Sequence, residues 1–84
     1  MKETIRKYIA DELRSLRAKN NISLVELSNI LKINKDTISR YENASSSINI
    51  DTLETFLNYY NIDFDIFFSN VCANKHSKLQ KEET

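Results

Sequence analysis

The chain contains no glycine and no proline. Hairpins and sheet-rich folds draw on glycine for positive φ and on proline for fixed turns, so this double absence favours helices joined by short links. The single cysteine, Cys72, cannot close a disulfide within the chain. Neither a bilayer-length apolar run nor a leader with an apolar core is present, so the expected compartment is a reducing cytoplasm. The lone histidine, His76, stands four residues after Cys72. Two such residues make at most half a zinc site, and neither metal nor cofactor is expected. Without glycine there is no phosphate-cradling loop and no nucleophile elbow, which argues against an enzyme.

What remains is ordinary globular material. The 84 residues are 40% hydrophobic and 29% charged, enough for one domain with a modest core. Asparagine is plentiful, and it is the non-glycine residue that best tolerates the left-handed backbone at helix C-termini. Asn20, Asn21, Asn43 and Asn61 are therefore expected to end helices. Formal net charge is zero, but it is unevenly spread. Residues 1–43 carry nine basic against six acidic side chains. Residues 44–70 carry Asp51, Glu54, Asp63 and Asp65 with no base, and residues 71–84 carry three lysines against two glutamates. Cationic charge leans toward the N-terminal half, where a polyanion would bind.

Apolar spacing predicts five helices. Ile5, Ile9, Leu13 and Leu16 form one face of a helix over about Thr4 to Lys19. Ser23 and Glu26 have the spacing of a capping box, with Ile22 placed to staple onto Leu27, so a second helix should run from Leu24 to about Leu31. Asn34 opens a third, with Ile38 and Tyr41 inward and Lys35, Asp36, Ser39 and Arg40 outward. After the small-residue loop Ala44 to Ser47, Asn49 caps a fourth helix carrying Ile50, Leu53, Phe56, Leu57 and Tyr60, which Asn61 ends. Asp63 caps a short fifth helix with Phe64, Phe67 and Phe68. From Ser69 the sequence is polar without clear periodicity, giving an expected domain over residues 1–70 and a flexible tail over 71–84.

Two short helices joined by a tight link, the second polar on its outer face, form the arrangement in which one helix crosses a phosphate backbone and the next enters the major groove. The run from Ile22 to Asn43, densest at Thr37-Ile38-Ser39-Arg40-Tyr41-Glu42-Asn43, resembles the Cro/C1-type repressor family, also called the XRE family. The resemblance covers about Leu13 to Phe68. It implies an all-α, compact five-helix lambda-repressor-like domain with a helix-turn-helix in its second and third helices, at about residues 23–43. It further implies a sequence-specific regulator of transcription that binds a double-stranded DNA operator, represses, and acts as a homodimer.

By that resemblance Lys35, Asp36, Ser39 and Arg40 read bases. Arg40 or Lys35 suits guanine N7 and O6, Asp36 suits cytosine N4, and Ser39 serves several bases. Ser23, Asn34, Thr37, Asn43, Ser45, Ser46 and Ser47 would meet phosphates. Arg17 and Glu42 fall on a family ion pair that ties the first helix to the end of the third, and Tyr41 stands where tryptophan is frequent. Three positions depart from the pattern: Leu24 replaces a common DNA-touching glutamine, and Lys32 and Ala44 occupy usual glycine sites. Lys32 and Ala44 imply either an altered link or non-glycine residues at positive φ.

Blander readings accompany each of these. Polar residues on a short helix are more often a solvated face than a reading head. Singly, each of Phe64, Phe67 and Phe68 is more a lid on the core than an interface, yet three rings on one short helix exceed what a small core absorbs, which suggests a dimer patch. The rival function is a protein-interaction module on the same scaffold, such as an anti-repressor, antitoxin or adaptor. Net neutrality, Leu24 and the outward Val25 and Ile30 favour it.

Overall fold

The computed structural model describes residues 5–83, with side chains described for residues 5–75. It has five helices in chain order: α1 (Ile5–Lys19), α2 (Leu24–Leu31), α3 (Lys35–Glu42), α4 (Ile50–Tyr60) and α5 (Phe64–Glu83). No strand occurs among the described residues. Thr4, expected to open α1, lies outside them. None of these helices is long and apolar enough to cross a membrane.

Three of the starts that the sequence marks carry their caps. Ser23 Oγ accepts the Glu26 N–H at 3.1 Å while Glu26 Oε1 accepts the Ser23 N–H at 3.1 Å, completing the capping box. Asn34 caps α3 by accepting the Asp36 N–H at 2.8 Å, and Asn49 caps α4 by accepting the Thr52 N–H at 2.7 Å.

Helix ends follow one pattern. Asn21, Lys32, Ala44 and Asn61 all have left-handed backbone, with φ between 53° and 65°. In each case the next N–H returns to a carbonyl five residues back: Ile22 to Arg17, Ile33 to Ser28, Ser45 to Arg40 and Ile62 to Leu57. This is the Schellman geometry, and in three of the four the returning residue is an isoleucine packed against the core. Lys32 and Ala44 thus adopt the positive φ that the departures from glycine allowed. Asn43 does not, since its φ is −112° and Ala44 makes the turn. Asn20 ends α1 differently, its side-chain amide donating to the Leu16 carbonyl at 2.8 Å.

The core contains Leu13, Leu27, Ile38, Phe56 and Phe67, all essentially sealed from solvent. Tyr41 meets Phe56 edge to face at 6.3 Å and so couples α3 to α4. Helix α1 packs against both α3 and α5, so its buried stripe is broader than a single line of apolar residues, taking in Tyr8, Ala10, Glu12, Leu13 and Leu16. Ile5 sits in the first turn, past the end of that core layer, and stays largely exposed.

Two expectations for the C-terminal third change. The fifth helix is not short: α5 runs 20 residues, about 30 Å. A polar seam extends it past Ser69. The buried Glu12 carboxylate accepts from Asn70 Nδ2 at 3.1 Å and Asn74 Nδ2 at 3.5 Å, on either side of the buried Val71. A boundary at residue 70 would therefore cut through packed structure. The three rings also part company, for Phe67 is fully buried, Phe68 half-buried and Phe64 70% exposed. Phe67, the fourth residue of this helix, is therefore core and unavailable to a partner.

Candidate nucleic-acid interface

Helix α3 divides cleanly into an inner and an outer face. Ile38 and Glu42 are buried and Tyr41 half-buried, so the opposite face must look outward. On it lie Lys35, Asp36 and Arg40, all exposed, with Ser39 half-buried. Lys35 and Ser39, like Asp36 and Arg40, are four residues apart and hence neighbours on the surface. These four present two cationic donors, one carboxylate acceptor and one hydroxyl within two turns, a set able to hydrogen-bond base edges.

The reading face is held from behind by α1. Arg17 Nε donates to both Glu42 carboxylate oxygens, at 3.1 and 2.9 Å, and Arg17 Nη1 donates to the Ile22 carbonyl at 3.0 Å. One guanidinium therefore joins α1, the link before α2 and the last turn of α3. Arg14 Nη1 donates to the Glu42 carbonyl at 2.9 Å and Arg14 Nη2 pairs with Asp11 at 2.7 Å. Arg6 Nη1 reaches the Ala44 carbonyl at 3.5 Å. Cations at the carbonyl end of a helix also offset its dipole. Sequence reasoning found Arg17 and Glu42 but missed Arg14 and Arg6, although they share α1 with Arg17 and the positions of Arg14 and Arg17 are one turn apart.

Tyr60, at the end of α4, borders this ion pair. Its phenol is pushed up from the ordinary 10.0 to about 12, chiefly by burial and further by the Glu42 charge, with Arg17 pulling the other way. Its hydroxyl is a buried polar atom with no hydrogen-bond partner among the described residues.

The internal pairs resolve the objection raised by zero net charge. Glu42 and Asp11 are neutralised by Arg17 and Arg14, whereas Lys32 and Lys35 flank the N-terminus of α3 and Arg40 stands on its outer face. A shallow polar hollow at the α2–α3 link is lined by Ser28, Asn29, Lys32, Ile33 and Asn34. Ser28 Oγ braces that link by donating to the Ile33 carbonyl at 2.6 Å. Lys32 and Asn29 join the candidate surface here; the sequence singled out Lys32 solely for displacing a glycine.

The expected phosphate-contacting residues are not equally placed. Ser23, Asn34, Asn43, Ser45 and Ser47 are exposed, and Thr37 is half-buried. Ser23, Asn34 and Asn43 already spend their side-chain oxygens on the N–H groups of Glu26, Asp36 and Ser45, so toward an anion each offers its hydroxyl hydrogen or amide NH₂. The Ser45 and Ser46 N–H groups both return to the Arg40 carbonyl, so this loop would meet a phosphate through hydroxyls. Ser46 is half-buried and lines a hollow with Arg6, Ile9, Tyr41 and Ile48. Cys72 is an exposed free thiol, and the side chain of His76 lies outside the described residues. No cluster of metal-ligating side chains occurs among the described residues.

Comparison with known proteins agrees with this geometry. A family model described as helix-turn-helix matches residues 13–67. The antitoxin PezA of Streptococcus pneumoniae is 27% identical over 56 residues, 67% of this chain. The match spans 35% of that relative's length. Among solved structures, the clp gene regulator ClgR of Corynebacterium glutamicum superposes with a TM-score of 0.89 at 16% identity, over 99% of this chain and 88% of that one. A single-site mutant of the restriction-modification controller protein C.Esp1396I superposes with a TM-score of 0.77 at 16% identity, over 88% of this chain and 94% of the other. With α2 and α3 as the paired helices and the model covering most of its length, this all-α, lambda-repressor-like chain belongs to the Cro/C1-type helix-turn-helix family, also called the XRE family.

Proposed function

We propose that the chain is a sequence-specific, double-stranded-DNA-binding regulator of transcription that acts in the cytoplasm as a homodimer and represses by occupying an operator. One observation carries the reading: Lys35, Asp36, Ser39 and Arg40 share the outer face of a helix whose far end is fixed by Arg14 and Arg17. A reading head must be both exposed and held still, since base contacts need fixed geometry. Two copies would read half-sites about 34 Å apart, one turn of DNA.

Titrating salt against binding to random and selected duplexes tests this. DNA recognition gives a steep loss of affinity with salt and a preference for selected sites. Arg40→Ala relaxes the preference at one base position, by about 1–3 kcal/mol, whereas Ser45→Ala weakens all sites alike. An unchanged preferred sequence in Arg40→Ala removes Arg40 as a reader.

A second reading has a specific observation behind it. Val25 and Ile30 on α2 are 56% and 50% exposed, apolar area on the helix that would otherwise cross phosphates. A protein-interaction role, as in an anti-repressor, antitoxin or adaptor, predicts weak salt-insensitive DNA binding and loss of partner binding in Val25→Ser with Ile30→Ser.

A further inference from the structure

Helix α2 gives way to α3 at Lys32. Four corners of the chain are left-handed: two carry asparagine, one alanine and one, at φ 61°, this lysine. Such a corner asks for a residue that tolerates positive φ, which glycine does best and asparagine next. Neither the turn nor the core calls for a lysine here. Its side chain is exposed and has no hydrogen-bond or ion-pair partner among the described residues. What lysine adds at this corner is an outward ammonium.

Lys32 helps to line a shallow hollow of about 530 Å³, together with Ser28, Asn29, Ile33 and Asn34. No carboxylate is among these residues. Ser28 spends its hydroxyl hydrogen on the Ile33 carbonyl, and Asn34 spends its side-chain oxygen on the Asp36 N–H. One cation and the amide groups of Asn29 and Asn34, both exposed, are left to offer. Donors without a competing carboxylate suit an anion with several acceptor oxygens, such as a phosphodiester. The hollow also stands in the right place. In helix-turn-helix docking the first helix crosses the backbone and the second sets its N-terminal residues at base edges, so the link between them runs beside a phosphate strand. Lys35 begins α3 three residues after Lys32.

We propose that this hollow seats one phosphodiester of the bound duplex, with Lys32 supplying the charge and Asn29 and Asn34 the amide donors. Lys32 and Asn29 extend the row of phosphate contacts beyond the positions that the family pattern implies, because glycine at this corner would leave no cation there. The inference rests on the DNA-binding reading above and adds to it a contact that fixes position on the duplex without reading sequence.

Fluorescence anisotropy on the full chain, with a selected and a random duplex over a range of salt, provides the test. K32N and K32G should weaken binding to both duplexes by the same factor, about eightfold near 0.1 M salt, and make the slope of log K against log salt shallower by about 0.9, the share of one phosphate. K32R, which keeps the charge, should stay within about twofold of the unaltered chain. N29A should weaken binding with the slope unchanged, because an amide releases no counterion. K32N and K32G should melt no lower than the unaltered chain, since asparagine and glycine suit the corner better than lysine, so lost binding cannot be put down to lost folding. An unaltered chain that binds neither duplex overturns the DNA reading and this site with it. Steep salt-dependent binding whose slope K32N and K32G leave unchanged overturns the site alone. So does a loss that K32R shares in full, which would trace to the shape of the corner, or a loss confined to the selected duplex, which would make Lys32 a base reader. Saturable binding of inorganic phosphate to the DNA-free chain, abolished in K32N, would assign the hollow to a free anion instead.

Discussion

The two halves of the molecule hold themselves together by different means. From α1 to α3 the organising contacts are polar and directional: a capping box at Ser23, the Arg17–Glu42 pair, and Arg14 on the last carbonyl of α3. From α4 to α5 they are apolar and less closed, with Phe56 and Phe67 sealed but Ile50 and Phe64 at 73% and 70% exposure. Directional bonds fix an angle, as a helix that reads bases requires. An open apolar face has area to share, as a helix that meets another protein requires. A net charge of zero conceals this division, because the acidic half cancels the basic one.

The comparison breaks most easily at two of the three phenylalanines of α5, Phe67 and Phe64. Phe67→Ala empties a sealed core site and should lower unfolding stability by about 3–5 kcal/mol in urea denaturation. Phe64→Ala, three residues away, should change the stability of the protomer by less than about 0.5 kcal/mol. Equal effects would mean the two rings share one environment. Next in size is the polar half. Arg17→Met strands the Glu42 carboxylate and should cost about 2–3 kcal/mol, below the roughly 3–5 of a fully buried pair because 23% of the Arg17 side chain still meets solvent. Asp11→Asn, breaking the more exposed pair with Arg14, should cost under about 1 kcal/mol in the same assay.

Tyr60 lies where the halves meet, and its effect is smaller. Replacing it with phenylalanine removes a buried hydroxyl that has no partner among the described residues, for a gain of about 1 kcal/mol at neutral pH. Its phenol has a pKa of about 12 in the fold against 10.0 ordinarily, so its contribution is intact below pH 10 and is lost as pH rises toward 12. Tyr60→Phe should therefore lose less stability than the parent over that alkaline window. Smallest is Ala44→Gly: relief of a left-handed alanine outweighs glycine's added chain entropy by about 0.5 kcal/mol, read as a rise in Tm. Asn61→Gly should give no such rise, since asparagine already tolerates that backbone.

Much of the fold was legible because helix starts are local chemistry. Ser23, Asn34 and Asn49 name their caps within three residues, and α2 and α4 begin where those caps place them. The length of α5 was not legible, because its anchor is a buried carboxylate meeting Asn70 and Asn74 some 60 residues away in sequence, and apolar periodicity is silent about a polar seam. The outward face of α3, with Lys35, Asp36 and Arg40 exposed and Ser39 half-buried, followed from the inward Ile38 and Tyr41. The clamp behind it was half legible, since Arg17 has a side-chain partner with its own sequence signal whereas Arg14 and Arg6 bind carbonyls, which every residue possesses.

The left-handed corners at Asn21, Lys32 and Asn61 are each followed by an isoleucine set into the interior. A bend built on glycine can breathe by itself, since nothing is lost when it opens. Here the hinge pin is a half-buried side chain packed against the core, so a corner comes loose only by wetting more of an isoleucine. A protein without a single glycine thereby gains three corners that are tied to its interior, while the fourth, at Ala44, leads into the exposed Ser45.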